Sequence, residues 1–115
     1  MRKVIILLFA ALALQAQSPT GNAENGGKLF NTKYRCYSCH GWDGHGGSGA
    51  RLVPMKLPEA AFVAYVRSPK QMPSYSAKMV SDAELTDIYA YIKTLPLSPD
   101  AKDIPLLSSI LNNTK

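Results

Sequence analysis

The sequence predicts an all-α fold of three to four short helices. No segment shows the strict alternation of apolar and polar residues that is typical of a strand. The segment from Ser81 to Leu95 instead has apolar residues at helical spacing. A second apolar segment, 58–68, begins at one proline and is followed by another, as a short helix would be.

The first helix is expected from about Ala23 to Tyr34, with Asn22 as its N-cap. Gly26 and Gly27 lie inside this segment although glycine is a poor helix former. Their position makes sense if another helix crosses here closely. Phe30 then supplies an apolar contact on the same helix.

Two further helices are bounded by their own start and stop signals. One is expected to have Pro58 in its first turn, where the missing N–H costs nothing, and to stop at Ser68-Pro69. The other begins with a capping box, in which Ser81 is the N-cap and Glu84 reaches back to it. Pro96 ends this last helix, and one face carries its apolar side chains: Leu85, Ile88, Tyr89, Ile92 and Leu95.

The most specific chemical signal is a Cys-x-x-Cys-His motif formed by Cys36, Cys39 and His40. Two thiols at this spacing can add to the two vinyl groups of one haem, and the adjacent imidazole can then coordinate the iron from the proximal side. The chain has no other cysteine. The motif therefore predicts one covalently bound haem c, attached through Cys36 and Cys39, with His40 as an axial ligand.

A disulfide and a zinc site are the alternative uses of such a pair. A disulfide would not need the adjacent His40. A zinc site could add His45 to the motif, but consecutive ligands at 39 and 40 make a poor tetrahedral cage, and no second pair follows. We expect His45 to be a surface residue of the glycine-rich loop 41–49, whose G-x-G-x-x-G match lacks the preceding strand that a dinucleotide site requires.

The second axial ligand is expected to be Met72. Haem iron in electron carriers is usually held by histidine and methionine, because the neutral thioether sulfur favours iron(II) and raises the reduction potential. Met72 lies between two predicted helices and precedes Pro73, which restricts the backbone and reduces the entropy lost in presenting the sulfur. Met79 is the main alternative, followed by Met55.

The N-terminal residues 1–16 have the pattern of a secretory signal peptide. Arg2-Lys3 is a basic start, an apolar run follows over 4–14, and cleavage is expected after the small residue Ala16. The run is shorter than the ~20 residues of a membrane span. We therefore expect an exported, periplasmic protein without a stable membrane span, which agrees with haem attachment on the outer face of the membrane.

The mature chain, residues 17–115, is expected to be one domain with a helical core over about 22–95. The tail, 96–115, is expected to be irregular and to pack partly through Ile104, Leu106 and Leu107. Loss of two of the 13 basic residues with the signal peptide leaves 11 against 8 acidic residues, a charge of about +3. This mild charge, without an arginine-rich run, gives no indication of nucleic-acid binding.

Together these features resemble the class I mono-haem cytochromes c over most of residues 22–95. The resemblance is carried by Cys36–Gly41 after an N-terminal helix, by Met72-Pro73-Ser74-Tyr75, and by the helical segment 85–95. It implies a small cytochrome c fold in which the helices wrap around the haem. The first and last helices would cross near Gly26 or Gly27.

The resemblance also implies contacts within the site and the core. In these cytochromes a backbone carbonyl after the motif accepts the N–H of the proximal histidine. The usual Gly-Pro-x-Leu is Gly49-Ala50-Arg51-Leu52 here, so we expect a carbonyl near Ala50 to serve. Phe30 would pack against Ile88 and Tyr91.

The implied function is one-electron transfer between a redox protein donor and an acceptor, without enzymatic activity. The chain would be a monomeric carrier or, alternatively, a cytochrome subunit tightly bound to a periplasmic dehydrogenase or oxidase. An open-site haem enzyme or gas sensor is a further alternative, and it would require Met72 to be away from the iron. Lys56, Lys70 and Lys78 are candidates for steering an acidic partner, although surface lysines are common.

Overall fold

A computed structural model describes residues 21–114 of the chain, so the predicted signal peptide lies outside the described residues. The described part contains five α-helices and no strand, which confirms the all-α fold. A π-helical turn, Leu29–Lys33, follows the first helix, and a 3₁₀ turn, Ala101–Asp103, precedes the last. The helices are α1, Ala23–Lys28; α2, Tyr37–His40; α3, Glu59–Arg67; α4, Asp82–Thr94; and α5, Pro105–Asn113.

The first helix has the predicted start but changes its winding. The Asn25 backbone N–H donates to Asn22 Oδ1 (3.0 Å), which confirms the N-cap. After α1 the chain continues as the π-helical turn, which closes with a hydrogen bond from Tyr34 N to Leu29 O (2.9 Å). π-Helical turns are rare in proteins, and those that occur are often found at functional sites. This one ends three residues before α2.

Helices α1 and α4 cross at Gly26, as predicted. A Cβ added to Gly26 would lie 1.9 Å from Asp87 O, so only glycine allows the two backbones to come this close. A Cβ on Gly27 would lie 3.1 Å from the Tyr91 ring. The Asp87 carboxylate also joins the two helices, because its Oδ1 accepts a hydrogen bond from Asn22 N (2.7 Å).

One continuous apolar core lies between these helices and α3. Phe30 is completely buried in this core, and its ring centroid lies 5.5 Å from that of Tyr91, which confirms the expected contact with Tyr91. Ile88 is a buried member of the same core. The buried members of this core are Leu29, Phe30, Val53, Phe62, Val66, Val80, Leu85, Ile88, Tyr89 and Ile92.

The starts of α3 and α4 agree closely with the sequence signals. Helix α3 begins at Glu59, and Pro58 is its extended N-cap rather than a residue of the first turn. The capping box of α4 is confirmed: Glu84 N donates to Ser81 Oγ (3.1 Å), and Ser81 N donates to Glu84 Oε2 (2.9 Å). Thr86 Oγ1 donates to Glu59 Oε1 (2.7 Å) and ties α4 to α3.

The expectation of an irregular tail is wrong, because α5 is helical. Pro105 occupies its first position, where proline is favoured, and its apolar residues recur at helical spacing. The expected packing is not found for Leu106 and Leu107, which are exposed, whereas Ile104 is half-buried. The principal neighbour of α5 is the 3₁₀ turn before it. Within the described residues, no helix combines the length and the apolar character that crossing a membrane requires.

Candidate haem site

A cavity of about 790 Å³ opens between α2 and the apolar core. This volume lies in the range of cofactor and small-molecule sites. All four predicted site residues line the cavity: Cys36, Cys39, His40 and Met72. Phe30 and Ile88 are among the core side chains that form its apolar wall. An apolar cavity with two thiols and an imidazole at its edge suits an apolar macrocycle that is covalently attached at one side.

The short helix α2 brings both thiols to this cavity. Arg35, directly before the motif, has a φ of 54°, an unusual left-handed conformation for a non-glycine residue, and turns the chain sharply into α2. Both cysteines are free thiols, and Cys39 is the more exposed. Burial raises the pKa of the Cys36 thiol to about 11.

The glycine-rich loop after α2 folds back over the end of the helix. Gly46 N donates to His40 O (2.9 Å), and Gly49 N donates to Cys39 O (2.8 Å), so the loop satisfies carbonyls that the end of a helix leaves free. Gly41 makes the turn out of the helix with a φ of 79°, which favours glycine. The loop therefore caps α2 and does not form a nucleotide site.

The same loop fixes the orientation of the His40 ring. His40 Nδ1 lies 2.6 Å from Ala50 O, which confirms the expected backbone acceptor for this ring. A carbonyl can only accept, so Nδ1 carries the proton and Nε2 keeps its lone pair for a metal. A Cβ on Gly49 would lie 3.0 Å from His40 Cε1, so the loop backbone also packs closely against the ring.

Two of the three candidate methionines line the cavity. Met72 and Met55 both line it. Met79 is not among the lining residues, and it is 59% exposed. The geometry therefore leaves Met72 and Met55 as the methionines that can reach a group in the cavity.

The loop that carries Met72 is held at its far end by α3. Tyr75 N donates to Val66 O (3.2 Å), and Arg67 Nη1 donates to Tyr75 O (3.0 Å). Arg67 Nη2 also pairs with Asp82 in the first turn of α4. One guanidinium thus connects α3, the methionine loop and α4. Sequence reasoning missed this role because nothing in the pattern around Arg67 distinguishes it from a surface arginine.

His45 is half-buried in the glycine-rich loop, and its ring has partners that the sequence pattern did not predict. Its Nε2 lies 2.9 Å from Pro96 O and its Nδ1 lies 3.0 Å from Ser98 Oγ, so both ring nitrogens have partners in the segment after α4. Across residues 21–114, no group of three or more His, Cys, Asp or Glu side chains is arranged to hold a bare metal ion. Of the three lysines considered for steering, Lys56 lines the cavity.

Comparison with known proteins identifies the family. Residues 21–92 match the family described as cytochrome c oxidase, cbb3-type, subunit III. Three curated relatives are named cytochrome bc1 complex cytochrome c subunit. Those from Corynebacterium efficiens and Corynebacterium diphtheriae are 32% and 34% identical, each over 68% of this chain. The one from Mycobacterium bovis is 33% identical over 70% of it.

The chain spans only 27–30% of the length of these relatives. No solved structure gave a significant match. The matched region contains the whole motif, the Met72 loop and nearly all of α4, and these are the parts that form the cavity. The chain therefore belongs to the family described as cytochrome c oxidase, cbb3-type, subunit III, a family of mono-haem c-type cytochromes.

Proposed function

We propose that this chain transfers single electrons as a cytochrome c subunit held within a larger redox complex. The observation that carries the electron-transfer part is the cavity in which Cys36, Cys39 and His40 meet an apolar core. The observation that favours a subunit over a diffusing carrier is the exposed apolar surface of α5. The relatives are themselves named as complex subunits.

Each residue of the site would have a separate task. The two thiols would hold the haem covalently, and His40 Nε2 would be free to bind its iron while Ala50 O fixes the ring. The haem, when bound, supplies the one-electron chemistry. The buried core side chains exclude water from the cavity, and the fixed loop limits the rearrangement that a change of charge at the iron would otherwise cause.

Met72 is the proposed second axial ligand. Its loop is anchored through Tyr75, and Pro73 restricts the backbone next to it. With both axial positions filled by protein side chains, the site would have no room for a substrate. Met55 lines the same cavity and is the competing ligand.

The absorption spectrum of the mature protein, produced with haem maturation, tests the electron-transfer assignment. We expect a low-spin reduced c-type spectrum and, in the oxidised protein, a near-red band from methionine bound to iron(III). A high-spin spectrum that shifts on adding carbon monoxide would show an open site and contradict the proposal.

Three matched substitutions identify the ligand. We expect Met72→Ala to abolish the near-red band, whereas Met55→Ala and Met79→Ala keep it. Met79→Ala is the control, because this side chain is exposed and outside the cavity lining. A band that survives in Met72→Ala and disappears in Met55→Ala would move the ligand to Met55.

We further propose that residues 1–16 direct export and are removed. The basic and apolar pattern of this segment supports the proposal, as does the haem motif, because haem is attached to such motifs outside the cytoplasm. Intact-mass measurement of the haem-containing protein is expected to show a chain that begins at Gln17. A haem-containing protein that retains Met1 and stays in the cytoplasmic fraction would refute it.

A further inference from the structure

We infer that His45, Arg51 and Ser98 form a latch through which the segment after α4 positions the haem ligand His40. The inference rests on the proposed role of His40 as the proximal ligand. It assigns a positioning role to three side chains that lie outside the haem motif. His45 lies on the glycine-rich loop, Arg51 directly follows Ala50, and Ser98 lies after α4.

The latch is a connected set of hydrogen bonds. Arg51 Nη2 donates to Ser98 Oγ (3.2 Å), and the same oxygen lies 3.0 Å from His45 Nδ1. His45 Nε2 lies 2.9 Å from Pro96 O. Ser98 is thus the one hydroxyl that both loop side chains share.

The chemistry of the partners fixes the protons in this set. The Pro96 carbonyl can only accept, so His45 Nε2 carries a proton and donates it. In the neutral ring Nδ1 is then an acceptor, and the Ser98 hydroxyl donates to it. The Ser98 oxygen keeps lone pairs to accept from Arg51. The donor and acceptor roles within these three hydrogen bonds are therefore mutually compatible.

An apolar contact supports the same connection independently. A Cβ added to Gly44 would lie 3.1 Å from Leu95 Cδ1, which shows that the Leu95 side chain is in close contact with the loop backbone. The loop therefore meets the segment 95–98 at Gly44, at His45 and through Arg51.

The latch lies next to the contact that orients His40. Arg51 directly follows Ala50, whose carbonyl is 2.6 Å from His40 Nδ1. His45 directly precedes Gly46, whose N–H donates to His40 O (2.9 Å). Residues 45 and 51 thus border the stretch that touches His40, and fixing both to Ser98 fixes that stretch.

Through the hydrogen bond between His40 and Ala50, the latch would affect the basicity of the His40 ring. A hydrogen bond from Nδ1–H to a carbonyl raises the basicity of the ring, which favours the oxidised metal. If the latch is lost, Ala50 O is held less firmly and this bond weakens. Iron(II) would then be stabilised relative to iron(III), so the reduction potential would rise.

The test compares Ser98→Ala with Ser98→Thr in the full haem-containing protein, with Ser109→Ala on α5 as the control. Ser98→Ala is expected to increase the reduced-to-oxidised ratio at a fixed potential about two- to fivefold, where tenfold corresponds to 59 mV for one electron. It should also speed exchange of the His40 Nδ1 proton, followed by NMR. Ser98→Thr keeps a hydroxyl, so its reduced-to-oxidised ratio and its His40 proton exchange rate should stay close to those of the unsubstituted protein. Ser109→Ala should change neither quantity.

A double substitution, His45→Gln with Ser98→Ala, shows whether the residues act as one unit. The latch predicts that the second change adds little to the first. A lower melting temperature with unchanged potential and unchanged His40 proton exchange would overturn the positioning role, as would fully additive effects. Failure of the unsubstituted protein to show a low-spin spectrum would instead refute the proposed function itself, so the two failures are distinguishable.

Discussion

Single glycines determine how closely the two crossing helices approach each other. Gly26 has no space for a methyl group, because the nearest atom to its added Cβ is the Asp87 backbone oxygen at 1.9 Å, and backbone cannot easily move. The Cβ of an alanine at position 27 would instead meet the edge of the Tyr91 ring at 3.1 Å, and a side chain can move by a few tenths of an ångström. Two adjacent glycines in one helix therefore have different requirements.

We predict that Gly26→Ala destabilises the haem-containing protein by about 1–3 kcal/mol or more, the usual cost of overpacking a tight site. Gly27→Ala is the matched control, and its better helix propensity, up to ~1 kcal/mol, should offset much of the contact with Tyr91. Denaturant unfolding followed by far-UV circular dichroism measures both. Equal losses of stability would mean that the crossing is looser than the structure shows.

At the scale of residues, the sequence predicted contacts that follow local chemistry and missed those that join distant segments. The pair of His40 Nδ1 and Ala50 O was expected because the resemblance to class I cytochromes c implies a carbonyl acceptor shortly after the motif. The partners of His45 lie 51 and 53 residues away, and no local pattern connects a histidine in a glycine-rich loop to Pro96 and Ser98. Such contacts depend on where α4 ends in space.

At the scale of elements, the start of α4 is held by a cluster around the Glu84 carboxylate. Lys33 Nζ lies 2.5 Å from Glu84 Oε1, while Ser81 N and the Tyr34 hydroxyl are both 2.9 Å from Oε2. These partners, with Lys33 the strongest, lower the pKa of Glu84 to about 2. The cluster joins the end of the π-helical turn to the capping box of α4.

This cluster predicts an acid-dependent loss of stability. The folded-state pKa of Glu84, about 2, lies below its ordinary value of 4.5, so its contribution is present above pH 4.5 and is lost as the pH falls toward 2. Glu84→Gln should therefore cost about 0.5–1 kcal/mol near pH 6, the range of surface ion pairs, and progressively less at lower pH. Unfolding by denaturant at a series of pH values between 2 and 6 measures the difference.

Glu24→Gln provides the matched control for this prediction. Glu24 also pairs with a lysine, Lys28, but both side chains are exposed and the pair lies within one helix. Glu24→Gln should therefore change the free energy of unfolding less than Glu84→Gln does at every pH. A difference between Glu84→Gln and the unsubstituted protein that stays constant from pH 6 to pH 2 would show that the carboxylate charge has no part in holding α4.

The elements that the sequence predicted best are those with both a start signal and an apolar face. Helix α4 has both, and its N-cap and capping box agree residue by residue. The π-helical turn could not be predicted, because its wider winding depends on packing and not on the identity of Leu29–Lys33. Helix α5 could have been predicted from Pro105, which is favoured in the first turn of a helix, and from the spacing of its apolar residues.

At the scale of the whole molecule, the chain consists of a core that surrounds the cavity and an appended helix that does not pack on it. Helix α5 has no charged residue, and four large apolar side chains on it are 40–71% exposed: Leu106, Leu107, Ile110 and Leu111. Exposed apolar patches of this kind mark sites of interaction. The segment before α5 carries Pro96 and Ser98, which belong to the latch, so the core needs the chain as far as Ser98 but not beyond Asp100.

We predict that truncation after Asp100 separates folding from assembly. Because α5 makes few contacts with the core, its loss should change the free energy of unfolding by no more than about 0.5 kcal/mol, and the haem spectrum should stay the same. The truncated protein should no longer co-purify with the redox complex from detergent-treated membranes, whereas the full chain should.

Replacing Leu106 and Ile110 by serine in the full chain should have the same effect, and Ser109→Ala on the polar face should have none. Undiminished co-purification after truncation would show that α5 is not the attachment surface. A full chain that never co-purifies would support the diffusing carrier instead.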